Sequence, residues 1–377
     1  MADKPHYYQD IRGDISRFDE RDMLFARQDL VRCFGVDSPQ YRAFFAEKPK
    51  KETYHLRLNK QTPLGGKNIS DAPMVRAQFK WIDQLGVESA VDGEPSKNKI
   101  VMEPARAAMK IKALAKNYGA DLVGVGPLDQ RWTYSHVGVT AGDSPGYQPW
   151  GTPIDLRTHP HTIAMGFIMD RSLLASAPNY PTMLATAQGY AKSAWTAVHL
   201  AEYIRQMGYH ARAHHFSNYQ VLVVPVAVDC GLGELSRAGY LLTKNLGLGL
   251  RLSVVTTNMP LMVDQPLDIG VQSFCEQCTR CVDACPSGAI PTGEKVLHNG
   301  VVKWKLDEEK CYAYWHVNGT DCGICMAVCP WTKPDTLFHH VMAAWASKKG
   351  PHQRWMAKAD RFVYGPHKPV LNPDYLD

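Results

Sequence analysis

The sequence has no apolar stretch of membrane-spanning length, and its start, "MADKPHYYQDIRGD", carries neither a hydrophobic signal core nor a twin-arginine leader. A soluble chain is expected, cytoplasmic as it stands, or exported and membrane-associated if such a leader has been trimmed. It also lacks a strong charge of either sign: 42 basic residues against 37 acidic leave a formal net charge of +5. That is too mild for nucleic-acid binding, and the one basic run, "EKPKKE" at 47–52, reads as solvated surface. Low-complexity tracts, a G-x-G-x-x-G dinucleotide fingerprint and a phosphate loop ending in Gly-Lys-Ser/Thr are all missing. Cysteines are scarce outside one region. Eight of the ten fall between residues 275 and 329, leaving Cys33 and Cys230 alone, which favours a metal site over a disulfide framework.

Within that region, "FCEQCTRCVDACPSGAI" (274–290) sets Cys275, Cys278, Cys281 and Cys285 two, two and three residues apart, with Pro286 next. A second group, Cys311, Cys322, Cys325 and Cys329, is closed by Pro330. In bacterial two-cluster ferredoxins the first three cysteines of such a run hold one cluster and the fourth holds the other. By that rule Cys275, Cys278, Cys281 and Cys329 hold one 4Fe-4S cluster, and Cys285, Cys311, Cys322 and Cys325 the other. Eight cysteines would also furnish two zinc sites. Zinc ribbons, however, use well-separated C-x2-C knuckles, whereas three cysteines within seven residues suit the face of a cube. The ten residues between Cys311 and Cys322, "YAYWHVNGTD", are expected to form a loop that folds back.

Upstream the pattern is α/β. "EPARAAMKIKALAKNYGADLVGVGPL" predicts a helix with Pro104 in its first turn and Gly119 as its stop, then a buried strand through Val125. "TIAMGFIMD" (162–170) reads as another strand. A long helix follows, with Leu184, Ala187, Ala191, Ala194, Val198, Ala201 and Ile204 at helical spacing and Gly208 at its end. Strands are expected from Tyr209, at "VLVVPVAV" (221–228) and at "LRLSVVTT" (250–257). Strands alternating with long helices imply a sheet covered by helices. Gly231, Gly233, Gly239, Gly247 and Gly249 crowd into nineteen residues, dense enough for backbone to lie flat against something large, or for a turn-rich connection.

The order of "GYAKSAW", "LAEYIRQMGYHA", "VDCGLGELSRAGYLLT", "LRLSVVTTNMPL" and the two cysteine groups resembles the cobalamin-dependent reductive dehalogenases, from about residue 100 to 340. The resemblance implies an α+β fold: an N-terminal region (1–100) that helps cover the active site, a nitroreductase-like cobalamin-binding core (101–270), a ferredoxin-like module with two 4Fe-4S clusters (271–340) and an irregular C-terminal arm (341–377). It implies a corrinoid with its lower base detached and no histidine ligand, and the D-x-H-x-x-G stretch of many other corrinoid proteins is missing here. The pairs His214–His215 and His339–His340 are accordingly read as ordinary surface or capping residues.

The same resemblance assigns chemistry. Cleaving a carbon–halogen bond takes two electrons and a proton, and Tyr190 in "AQGYAKSAW" matches the family's proton-donating tyrosine. Arg251 matches the basic residue that favours its phenolate, and Asn218 in "HHFSNYQ" a polar active-site asparagine. Corrinoid contacts are expected at Gly231, Gly233, Glu234, Gly239, Thr256 and Met259. The expected partners are an organohalide, an external electron donor (ferredoxin, flavodoxin or membrane donor), a second copy in a homodimer and a membrane-anchor protein, with no nucleic acid. Aromatics at Trp132, Tyr134, 146–153, Phe34, Phe44 and Phe45 are available to wall a hydrophobic pocket. Two rivals are weighed beside this reading. An epoxyqueuosine reductase shares the core and module but uses an aspartate donor and a basic, helical-repeat C-terminal extension, whereas some 37 residues follow His340 here. The other rival is a plain electron-transfer protein.

Overall fold

The computed structural model describes residues 10–61, 72–138 and 146–370. In chain order the elements that position the site begin with α1 (Leu24–Asp29), α2 (Ala72–Leu85), α3 (Pro104–Asn117), β1 (Leu122–Pro127) and β2 (His161–Ile168). Then come α4 (Tyr180–Gln206), β3 (Ala211–His214), α5 (Val223–Asp229), β4 (Glu234–Leu235), β5 (Leu241–Leu242) and β6 (Leu250–Thr257). The cysteine-rich part adds α6 (Val271–Gln277) and α7 (Glu308–Asn318), and the chain closes with α8 (Leu337–Ala346) and α9 (His352–Tyr364). Among the described residues no helix is long and apolar enough to cross a membrane.

The main sheet is antiparallel throughout, in the order β1-β2-β6-β3. Its strands are buried on both faces, so side chains divide by the period of two. Ile163, Met165, Phe167 and Val255 pack under α3 and α4, while Ala164 and Val254 pack with α5. Glu103 caps α3, its carboxylate accepting the N–H groups of Ala105 and Arg106. Of the apolar stripe on α4, Leu184, Ala187, Ala194, Ala201 and Ile204 are buried, and Ala191 and Val198 lie half-buried at its edge. The helix α2 lies along α4 on the side away from α3.

Three expected elements take another form. Residues 223–229 are the helix α5, not a strand, with Val221 making only an isolated bridge to Thr133. Pro225 stands in its first turn, where a missing N–H is harmless; inside a central strand it would break the ladder. The stretch after Cys311 is mostly the helix α7. Asp307 caps it by accepting the Lys310 N–H, Glu308 and Glu309 occupy its first turn, and Gly319 (φ 78°) ends it. Most of the tail is likewise helical. α9 is fastened by Asp360, which pairs with Lys333 (2.8 Å) and Arg280 (3.3 Å), and residues 371–377 of the expected arm lie outside the described residues.

Candidate active site

Tyr190 sits midway along α4, and Arg251 near the start of β6 reaches across to it, its guanidinium carbon 4.9 Å from the phenol ring centre. Gly189 makes this approach feasible, since a Cβ there would lie 2.8 Å from Arg251 Cγ. Arg251 Nη2 donates to the Thr186 hydroxyl (2.7 Å), one helical turn before Tyr190. Thr186 in turn donates to the carboxylate of Asp321, which stands 4.0 Å from Arg251 Nη2. Burial pushes the Asp321 carboxyl up, while the Thr186 hydrogen bond and the Arg251 charge pull it down. The Thr186 hydroxyl and the Asp321 carboxyl thus hold the guanidinium over the ring.

These residues open into a cavity of about 290 Å³, close to the lower end of the roughly 300–1,000 Å³ of ordinary small-molecule pockets. Its walls are mainly apolar, among them Met169, Met183, Ala238, Tyr240 and Leu306. Phe216 lies 4.3 Å from the Tyr190 ring, and Phe79 and Phe25 lie against Phe216 at 5.5 and 6.1 Å. Residues of α1 and α2 therefore line this space. The aromatics singled out from sequence lie elsewhere: Phe34, Phe44 and Phe45 cluster with Trp150, Trp132 donates to Asp229, and Tyr134 is buried beside Phe18.

Four thiols line the same cavity: Cys285, Cys311, Cys322 and Cys325. The other four, Cys275, Cys278, Cys281 and Cys329, surround a second, smaller cavity. The last cysteine of each sequence group thus stands with the other group. Burial, with the neighbouring thiols of Cys275, Cys278 and Cys281, holds the Cys329 thiol well above the usual range. Cys285 is lowered despite burial, because the Ser287 hydroxyl and the backbone N–H groups of Ile290, Ala289 and Ser287 point at its sulfur. Among the described residues no three His, Cys, Asp or Glu side chains group as ligands of one metal ion. Two rings of four cysteines, each around a cavity, are a donor set that fits iron–sulfur clusters.

The remaining expected site residues are engaged otherwise. Asn218 accepts from Arg212 (2.9 Å) and donates to the Gly86 carbonyl (2.9 Å), so both ends of its amide are committed away from the cavity. The Thr256 hydroxyl lies between His159 and His214, and Met259 packs in the core. His214 and His215 are buried, not surface residues: His214 accepts the Gln220 N–H and His215 faces the Leu85 carbonyl. Glu234 accepts the N–H groups of Ile269 (2.7 Å) and Val271 (3.1 Å). Gly233 lies flat on the backbone of the facing strand, where a Cβ would come 2.2 Å from the Leu242 carbonyl oxygen, and Gly231 and Gly239 take positive φ on either side. None of these six lines the cavity, although Ala238 and Tyr240 beside Gly239 do. What the glycine-rich hairpin β4–β5 touches is the cysteine-rich module. Buried Arg237 donates to the carbonyls of Cys275, Pro291 and Gly293, each at 3.0 Å.

Sequence reasoning missed Thr186, Gly189 and Asp321. The first two carried a signal: Thr182, Thr186 and Tyr190 fall at intervals of four along one helix face, and a lone glycine inside a long helix marks a close approach. Asp321 carried only its place beside Cys322.

The family described as a 4Fe-4S dicluster domain matches residues 274–333. The tetrachloroethene reductive dehalogenase of Sulfurospirillum multivorans is 36% identical over 264 residues, covering 63% of this chain and 52% of its own. That of Dehalobacter restrictus (strain DSM 9455 / PER-K23) is 30% identical over 354 residues, covering 83% and 62%. The chain therefore spans between about half and three-fifths of the length of these relatives. An epoxyqueuosine reductase of Aliivibrio fischeri (strain ATCC 700601 / ES114) matches over 150 residues only, at 29% identity, covering 36% of each chain. Among solved structures, a catabolic reductive dehalogenase superposes with a TM-score of 0.75 at 27% identity, covering 94% of this chain and 47% of that one. A second reductive dehalogenase, whose structure bears on B12-dependent dehalogenation, gives 0.73 at 26% identity, covering 95% and 49%. In sequence and in fold, over the part of their length that it spans, this chain is similar to the reductive dehalogenases.

Proposed function

We propose that the chain carries the catalytic part of a reductive dehalogenase, which replaces the halogen of an organohalide by hydrogen and releases halide. The observation behind this reading is the cavity lined by Tyr190, Arg251 and four cysteines together. Two 4Fe-4S clusters are read at the two rings of thiols, the cluster of Cys275, Cys278, Cys281 and Cys329 lying farther from Tyr190 along the route. The antiparallel sheet with α4 packed on it supports a nitroreductase-like core, and the apolar walls of the cavity would seat a corrinoid, lower base detached and without a histidine ligand. Bound there, it would supply the two electrons that break the carbon–halogen bond.

The chain's own part is the proton and the enclosure. Tyr190 stands where its hydroxyl can donate a proton to the carbon that loses halide. The Arg251 guanidinium, fixed by Thr186 and Asp321, sets a positive charge over the phenol ring. Phe25, Phe79 and Phe216 keep water away and offer a halogenated hydrocarbon apolar contact. Anaerobic reconstitution with a corrinoid, iron and sulfide, followed by halide release from a panel of organohalides, tests the reading. A reconstituted protein that released no halide but reduced epoxyqueuosine in a tRNA stem-loop would replace it.

A further inference from the structure

We propose that the outer face of α8 and α9 is the docking surface for an acidic, soluble one-electron carrier protein that reduces the site of Cys275, Cys278, Cys281 and Cys329. The inference rests on the iron–sulfur reading above and adds where electrons arrive. The ring of Cys285, Cys311, Cys322 and Cys325 opens on the Tyr190 cavity, so electrons have to reach the chain through the other ring. A groove of about 160 Å³ runs between α8 and α9, and Phe274, Pro330 and Trp331 line both that groove and the cavity of the outer ring. A carrier seated in the groove is separated from the outer thiols by that shared wall alone.

The surface around the groove is unusual for exposed helices. Phe362 is 89% exposed, Leu337 82%, Trp355 72% and Phe338 65%. Between residues 341 and 370 six lysines and arginines stand against one aspartate, a net of +5 that equals the charge of the entire chain, so the rest is neutral overall. All six are exposed, and Lys348, Arg354, Lys358 and Lys368 make no ion pair among the described residues. An apolar centre with a basic rim is the make-up of a small recognition surface, and it selects an acidic partner. A second copy of this chain would bring the same positive charge against it. An anionic membrane would be attracted too, but a lipid surface brings no electron to the wall of the outer ring. In the transfer, one electron leaves the reduced carrier and enters the cluster of Cys275, Cys278, Cys281 and Cys329; two such transfers supply the pair that dehalogenation consumes.

The test uses the anaerobically reconstituted protein and a plant-type 2Fe-2S ferredoxin as the acidic probe. Ferredoxin is expected to bind with an affinity that falls as salt is raised. In the double variant Arg354→Glu, Lys358→Glu, the rate at which reduced ferredoxin bleaches the iron–sulfur chromophore at low salt should fall tenfold or more. Reduction by photoreduced deazariboflavin, a small uncharged donor, should stay unchanged and shows that the clusters are intact. Equal, salt-independent rates for both proteins would overturn the proposal. So would sedimentation showing a dimer that Phe362→Ser disperses, or binding to phosphatidylglycerol vesicles in place of ferredoxin. Bleaching is read without any organohalide, so a failure to dehalogenate leaves this result standing.

Discussion

Tyr190 is where the functional reading is most exposed to test. Tyr190→Phe should keep the clusters and the corrinoid yet lose halide release by at least about 100-fold, as expected for removing a positioned proton donor. Full cofactor content with near-normal turnover would assign the proton to another group. Asp321→Asn should weaken the Asp321–Thr186–Arg251 chain: halide release drops severalfold while iron content stays constant. Gly189→Ala separates folding from function in one substitution. Alanine is about 1 kcal/mol better than glycine inside a helix, so thermal stability should hold, while the new methyl displaces Arg251 and turnover falls. Asp229 makes a pH prediction. Burial raises its carboxyl to about 7, well above its unfolded value, so the folded state holds an extra proton between roughly pH 4 and 7. The stability this proton contributes is complete below about pH 4 and lost as pH rises through 7. Asp229→Asn should therefore raise stability at pH 8 by on the order of 4 kcal/mol, read as a higher Tm, and change little at pH 4. At this scale spacing and type put the eight cysteines forward, the resemblance put Tyr190 and Arg251 forward, and the fold brings those two to one cavity. The sequence did not disclose Asn218's commitment to Arg212, because six residues of sequence say nothing about which way a turn aims an amide.

Among the elements, the hairpin β4–β5 has the most to teach. Its glycines read as a bed for a large ligand, and they do allow close approach, but the neighbours belong to the same chain: the facing strand at Gly233, the Gln265 carbonyl at Gly231, and Trp331 and Thr332 at Gly247. Glycine density reports closeness without naming the neighbour. The hairpin's polar residues then bind the module: Glu234 to Ile269 and Val271, Arg237 to Cys275, Pro291 and Gly293. Arg237→Leu would leave three carbonyls without their buried donor, at about 1–3 kcal/mol each. Iron per protein and Tm should both fall, whereas a merely exposed arginine would move neither. The helices α5 and α7 were legible in principle through Pro225, Asp307 and Gly319. Apolar β-branched residues outweighed the proline in one case, and the long gap between cysteines hid the caps in the other.

For the molecule as a whole, the order of strands and long helices and the two cysteine groups were readable because each rests on local periodicity or spacing. The aromatic enclosure was not, since Phe25, Phe79 and Phe216 come from three segments that only the folded chain brings together. The crossing of the two thiol rings has a consequence for how such a protein is made. The ring of Cys285 is complete only when Cys325 has been added to the growing chain, and the ring of Cys275 only with Cys329. Both therefore become competent within five residues of one another, although five of the eight cysteines have already been synthesised by residue 311. Loading with iron then waits until residues 325 to 329 have been synthesised. A ribosome-stalled chain ending at residue 320 should retain no stable iron, and cells short of assembly factors should accumulate a full-length, empty chain rather than a half-loaded one.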